Sequence, residues 1–190
     1  SASKTALEQR MKEKNIEVVL DPVFLAPKNS WMQLAAKPVK KDYILFFKMG
    51  YSKTAEPALR FAKKLSKETG YELLMLWDQE TWFKYRDVKH IGAVGPAEFL
   101  QWIAGAKCVV TNSFHATVFS MIFEKKFCTF PTRNSSSRMK DLLKNIGLES
   151  RLWSTAFEIN NTIDYESVKA RLNKFSEGSK RYLKEALTDE

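Results

Sequence analysis

The chain has 190 residues, 44% hydrophobic and 28% charged, the composition of a folded domain with a real core rather than a disordered tail. No apolar run approaches the roughly 20 residues of a membrane span, and the opening "SASKTALEQR" lacks the apolar stretch of a signal peptide, so a cytoplasmic location is expected. The net charge of +9 permits a polyanionic partner, but the lysines are scattered and no aromatic-interleaved basic motif occurs, which argues against nucleic acid and for a solvated surface with some preference for small anions.

"IEVVLDPVFL" (residues 16–25) is a short β-branched run broken by Asp21-Pro22, which predicts an edge strand or a turn. A polar connection, "KPVKK", leads into "DYILFFKMG" (42–50), a strand apolar on both sides. Ala55, Ala58, Leu59, Ala62 and Leu65 then recur at helical spacing, with Pro57 in the tolerated first turn and Gly70 as the stop. "YELLMLW" (71–77) is the next buried strand. The connection "DQETWFKYRDVKHIGAVG" (78–95) is long, aromatic and charged, with room for one short strand. Its Trp82, Phe83, Tyr85 and His90, with Trp77 before them, either line a ligand or plug the core.

After it the rhythm returns. A helix from Pro96 to about Ala106 precedes strand "KCVVTN", helix "FHATVFSMIF", strand "KFCTFPT" and helix "SRMKDLLKNI", closed by Gly147. A last helix puts Val168, Leu172, Phe175, Tyr182, Leu183 and Ala186 on one face. Cys108 and Cys128 sit in apolar runs and read as buried, reduced thiols. With only His90 and His115 as partners, no metal site is expected.

Near-continuously apolar strands alternating with helices predict a mostly parallel sheet covered on both faces, an α/β fold of the Rossmann-like, three-layer type. In such sheets ligands lie beyond the carboxyl ends of the strands. Three helices begin at that edge: after Gly95-Pro96, around residues 113–115, and within "RNSSSR" (133–138). Each start offers unpaired N–H groups and partial positive charge. Ser113 and one of Ser135, Ser136 or Ser137 are expected N-caps, while Arg133 and Arg138 are planar donors for phosphate or carboxylate. The plainer alternatives are a histidine satisfied locally, serines that merely cap, and an arginine on a solvated face. No GxGxxG, Walker loop, GxSxG or HExxH occurs.

"LDPVFLAPKNSW", "GPAEFLQWIAGAKCVVTNSFHATVFSMIFEKKF" and "SSRMKDLLKNIGLESRL" resemble the C-terminal half of the polysaccharide pyruvyl transferase family, in the same order and rough spacing, from about Val18 onward. Helix, strand and Ser-x-His in succession are also similar to donor domains of GT-B glycosyltransferases. The resemblance implies transfer of a pyruvyl unit from phosphoenolpyruvate to two hydroxyls of a glycan or lipid-linked sugar, with loss of phosphate and no cofactor. It implies His115 as the acid or donor ligand, Ser113, Ser137 and Arg138 as anion contacts, and Asn112 and Gly95 as shapers of the pocket. It further implies residues 1–40 as an interdomain remnant with a short strand and linker, residues 41–190 as the donor-binding domain, and an N-terminal partner domain outside this chain, so that the domain alone is expected to be inactive. The alternatives are a sugar-nucleotide glycosyltransferase domain and a non-catalytic module for anionic glycans.

Overall fold

Five of the apolar runs form strands in a computed structural model of the chain, which describes residues 17–37, 39, 42–49, 55–76, 85–92, 94–130, 136–152 and 162–188. They are β1 (Tyr43–Phe47), β2 (Glu72–Leu76), β3 (Lys89–Ile91), β4 (Cys108–Thr111) and β5 (Lys126–Thr129). All pair in parallel in the order β3-β2-β1-β4-β5. The expected three-layer α/β fold is therefore present. β1 is the central strand and pairs with β4 from Ile44 opposite Cys108 to Phe47 opposite Thr111.

Period-two alternation sends each central strand's side chains to two cores. Ile44, Phe46, Met75 and Val110 meet the buried Ala55, Ala58, Leu59, Ala62 and Leu65 of α2 (Ala55–Thr69) on one face. Phe46 stacks on Phe130 there, with ring centres 5.7 Å apart. Leu45, Leu74, Leu76, Val109 and Phe127 face the other way, beneath α1 (Lys28–Leu34), α3 (Pro96–Gly105), α4 (Phe114–Ile122), α5 (Ser136–Ile146) and α6 (Tyr165–Thr188). Fully burying one such Leu or Phe contributes about 1.5–3 kcal/mol. Helices α2 and α5 stop at Gly70 and Gly147, whose φ values of +72° and +73° are the left-handed conformation of a helix stop.

Two regions depart from the sequence reading. The run at residues 16–25 was expected to hold a short strand ending in an edge or a turn; residues 17–20 form no strand, and the turn is present as a 3-10 turn, Pro22–Leu25. Pro22 lacks the N–H a ladder requires, and the Asp21 carboxylate caps the turn by accepting from the Val23 N–H at 3.2 Å. Helix α1 follows, in a stretch for which the sequence reading names no element; its Trp31 packs edge-on against Phe119 and donates to the Val23 carbonyl at 3.1 Å. Helix α6 has the expected face only in its first half. Val168 is buried and Phe175 half-buried against the core, whereas Leu183 is exposed and Leu187 is 79% exposed. Midway along α6, the buried Ser179 hydroxyl accepts from the Leu20 N–H at 2.9 Å, fastening the start of the described chain to its last helix.

Cys108 and Cys128 are free and buried, as expected. Burial pushes the Cys108 thiol up to about 12 and that of Cys128 well above its ordinary value. Among the described residues no helix is long and apolar enough to cross a membrane.

Candidate functional site

Strands β2 and β3 extend the sheet to one side of β1 and β4 and β5 to the other, so the strand order reverses between β1 and β4, where such folds hold ligands. Asn112 follows β4 at this edge and is buried. Its Oδ1 accepts from the Met49 N–H at 2.7 Å and its Nδ2 donates to the Met49 carbonyl at 3.0 Å. Asn112 thus bolts the chain leaving β1 to the chain leaving β4. It shapes the edge from behind, and both ends of its amide are already committed.

Ser113 caps α4, its Oγ accepting from the Ala116 N–H at 3.3 Å, as the sequence predicts. Its own N–H donates to Thr111 Oγ1 at 3.0 Å, and its carbonyl accepts from Thr117 Oγ1 at 2.9 Å. This internal bonding fixes the turn and leaves the N–H groups at the head of α4 directed out of the helix. His115, the second residue of α4, stands out from the buried stretch that follows, with its side chain 56% exposed.

Gly95, Ser113 and His115 line one open cleft of about 570 Å³ at the carboxyl edge. Phe47, Met49, Leu76, Val94, Pro96, Phe99 and Phe119 make the remainder, so the walls are largely apolar and His115 carries the titratable group. Gly95 caps α3 in extended backbone that any residue adopts, and a β-carbon there would lie 2.8 Å from the Glu98 carboxylate. That helix start is covered by its own acidic side chain, which leaves α4 as the better anion-facing terminus of the two.

Ser137 and Arg138 are placed elsewhere. Ser137 is exposed on the first turn of α5. Arg138 lies over the Phe114 ring, 3.7 Å from its centre, and pairs with the Asp21 carboxylate. It lines a separate hollow of about 320 Å³ with Asp21, Phe114 and Asp141 rather than the cleft. The predicted residues therefore divide into three at the cleft, one behind it and two outside.

Asp21 is the residue that sequence reasoning missed at this edge. Its side chain is 9% exposed, and its Oδ2 lies 3.8 Å from His115 Nε2 while also meeting Arg138. Arg138 is 117 positions away in sequence, so no local spacing announces the pair. Lys48 was missed as well; it closes β1 as a buried cation, 2% exposed, inside what reads as an apolar run. Arg133, Ser135 and the aromatic residues Trp77, Trp82 and Phe83 lie outside the described residues. His90 Nε2 bonds the Tyr85 carbonyl at 2.9 Å, which ties the start of β3 to the preceding turn. Among the described residues no three of His, Cys, Asp or Glu gather as metal ligands would.

A family model described as polysaccharide pyruvyl transferase matches residues 1–134, which include Asp21, Gly95 and the stretch from Asn112 to His115 but stop short of Ser137 and Arg138. No curated protein matches the chain. Among solved structures, the UDP-GlcNAc 2-epimerase of Methanocaldococcus jannaschii in complex with UDP-GlcNAc and UDP is similar, with a TM-score of 0.51 at 14% identity over 92% of this chain and 58% of the epimerase. A second structure of that enzyme gives 0.53 at 13% identity, over 90% and 52%. KpsC of Thermosulfurimonas dismutans, a beta Kdo 2,4 transferase, gives 0.42 at 14% identity, over 80% and 56%. The chain thus spans a little over half the length of the epimerase whose fold it shares.

Proposed function

The chain belongs to the polysaccharide pyruvyl transferase family, and from that premise we propose that its cleft binds phosphoenolpyruvate and presents it for transfer to two hydroxyls of a sugar. The observation that carries this reading is the convergence of Gly95, Ser113 and His115 on one cleft at the sheet's reversal point. The donor carries a phosphate and a carboxylate. The outward N–H groups at the head of α4 and the partial positive charge there suit one of those anions.

The chemistry needs a proton at the methylene carbon of the enol, and an imidazole is the side chain best matched to giving one near neutral pH. Protonation by His115 turns that carbon into a methyl group and makes its neighbour electrophilic. One sugar hydroxyl then adds, the bond to the phosphate oxygen breaks, and the second hydroxyl closes the ketal. The hydroxyls release two protons; one replaces the proton given to the methylene and the other leaves with phosphate or water. This reading also places the chain in the cytoplasm, where phosphoenolpyruvate is made.

Amide NMR titration of the chain with phosphoenolpyruvate, and separately with a UDP-sugar, tests it. Shifts at Gly95, Ser113 and His115 with phosphoenolpyruvate, lost in His115→Ala, are the expected result. Shifts there with the UDP-sugar alone would replace this reading by a glycosyltransferase one.

A further inference from the structure

We propose that Asp21 is a positioning residue for His115: it holds the Nε2 side of the imidazole and leaves Nδ1 as the nitrogen that faces the donor. The inference rests on the reading of His115 as the group that meets phosphoenolpyruvate.

The two oxygens of the Asp21 carboxylate have separate tasks. Oδ1 accepts from the Val23 N–H at 3.2 Å and so fixes the plane of the carboxylate through its own turn. Oδ2 is left to face His115 and Arg138. At 3.8 Å the approach to Nε2 is a charge contact, slightly too long for a hydrogen bond. The imidazole is more than half exposed, whereas Asp21 is nearly buried, so the ring is the partner free to close that gap.

Arg138 makes the arrangement rigid from the far side. Its guanidinium is held against Phe114, the residue before His115, and Phe114 in turn sets its ring edge-on to the imidazole, 5.7 Å between centres at 85°. Asp21 and Phe114 thus both meet the imidazole while lining the neighbouring hollow with Arg138, and His115 itself lines the cleft. Among the described residues Nδ1 has no partner. Once the ring closes the 3.8 Å gap, Nε2 donates to the carboxylate, which only accepts hydrogen bonds, and a neutral ring then carries its lone pair on Nδ1. That is the nitrogen which takes up a proton and passes it to the donor. When the ring is charged, the same carboxylate balances it.

The competing account is that Asp21 only caps its turn and anchors Arg138. Imidazole nitrogen NMR of the chain separates the two, recorded at about pH 8, where an ordinary imidazole is neutral, with and without phosphoenolpyruvate. Asp21→Asn keeps an oxygen for the Val23 N–H while removing the charge; Asp21→Ser serves the same purpose and caps a turn equally well. In the unaltered chain the His115 signals are expected to show the proton fixed on Nε2, with Nδ1 moving when phosphoenolpyruvate is added. In either variant that fixation and the Nδ1 response should be lost, while the amide shifts of Gly95 and Ser113 persist. Unchanged His115 ring signals in a folded variant would overturn the assignment to Asp21. An absence of amide shifts at the cleft in the unaltered chain would instead overturn the functional reading on which it rests.

Discussion

At the scale of single residues, the edge of the sheet separates side chains that hold the site from those that face it. Asn112 belongs to the first kind. Asn112 is buried but Met49 is 59% exposed, so its two hydrogen bonds to the Met49 backbone are only partly shielded from water. Asn112→Ala should lower stability by about 1–2 kcal/mol, since an intramolecular hydrogen bond contributes about 0.5–1.5 kcal/mol net. A urea denaturation midpoint reads this directly, and an unchanged midpoint would mean that the clamp is replaced by solvent. His115 is of the second kind, because its exposed side chain leaves the fold little to lose. The sequence made His115, Ser113 and Gly95 visible because they stand at the ends of elements whose periodicity is plain. Asp21 was hidden: its neighbours in sequence explain it fully as a turn-former, and only the fold brings it to His115.

Among the elements, legibility followed length and the amount of core each one covers. Strands β1, β2, β4 and β5 and helices α2 to α5 have apolar residues at the spacing their faces require, so pattern and packing agree. Helix α1 is only seven residues long and shows one large contact, Trp31 on Phe119, too little periodicity to announce a helix. Helix α6 misled in the opposite way, for its pattern runs on after the core that it covers has ended. Glycine stops were readable for a stricter reason. Gly147 has φ +73°, which costs a side-chain-bearing residue about 1 kcal/mol, and a β-carbon there would run into the Arg171 guanidinium. Gly147→Ala is therefore expected to destabilise the chain by about 1–2 kcal/mol. A drop in thermal midpoint with the donor-induced shifts intact would confirm that the effect is confined to the end of α5. Gly95 lacks such a backbone requirement and gains its meaning from position alone.

For the molecule as a whole, the two thiols report how well the sheet is sealed. An unfolded Cys108 ionises near 9.0 and the folded one near 12, so the folded chain keeps its proton longer. Stability from this group is complete below the lower value and falls as pH rises through the interval. Neither thiol is expected to react with an aromatic disulfide reagent at about pH 8 until the chain is unfolded in guanidinium. Labelling of the native chain would show that the sheet opens locally far more often than its packing implies. The fold class was open to sequence reasoning because a doubly covered parallel sheet writes itself as a simple alternation. The grouping of cleft residues was not, because strand order decides it, and strand order is settled by packing between distant segments.

The hydrogen bond from the Leu20 N–H to Ser179 has a consequence for the carboxylate beside it. Leu20 is joined directly to Asp21, so the middle of the C-terminal helix sets where that carboxylate stands. Displacing that helix is expected to move Asp21 relative to His115 through one peptide unit, so the imidazole signals of His115 would gauge whether the helix is seated.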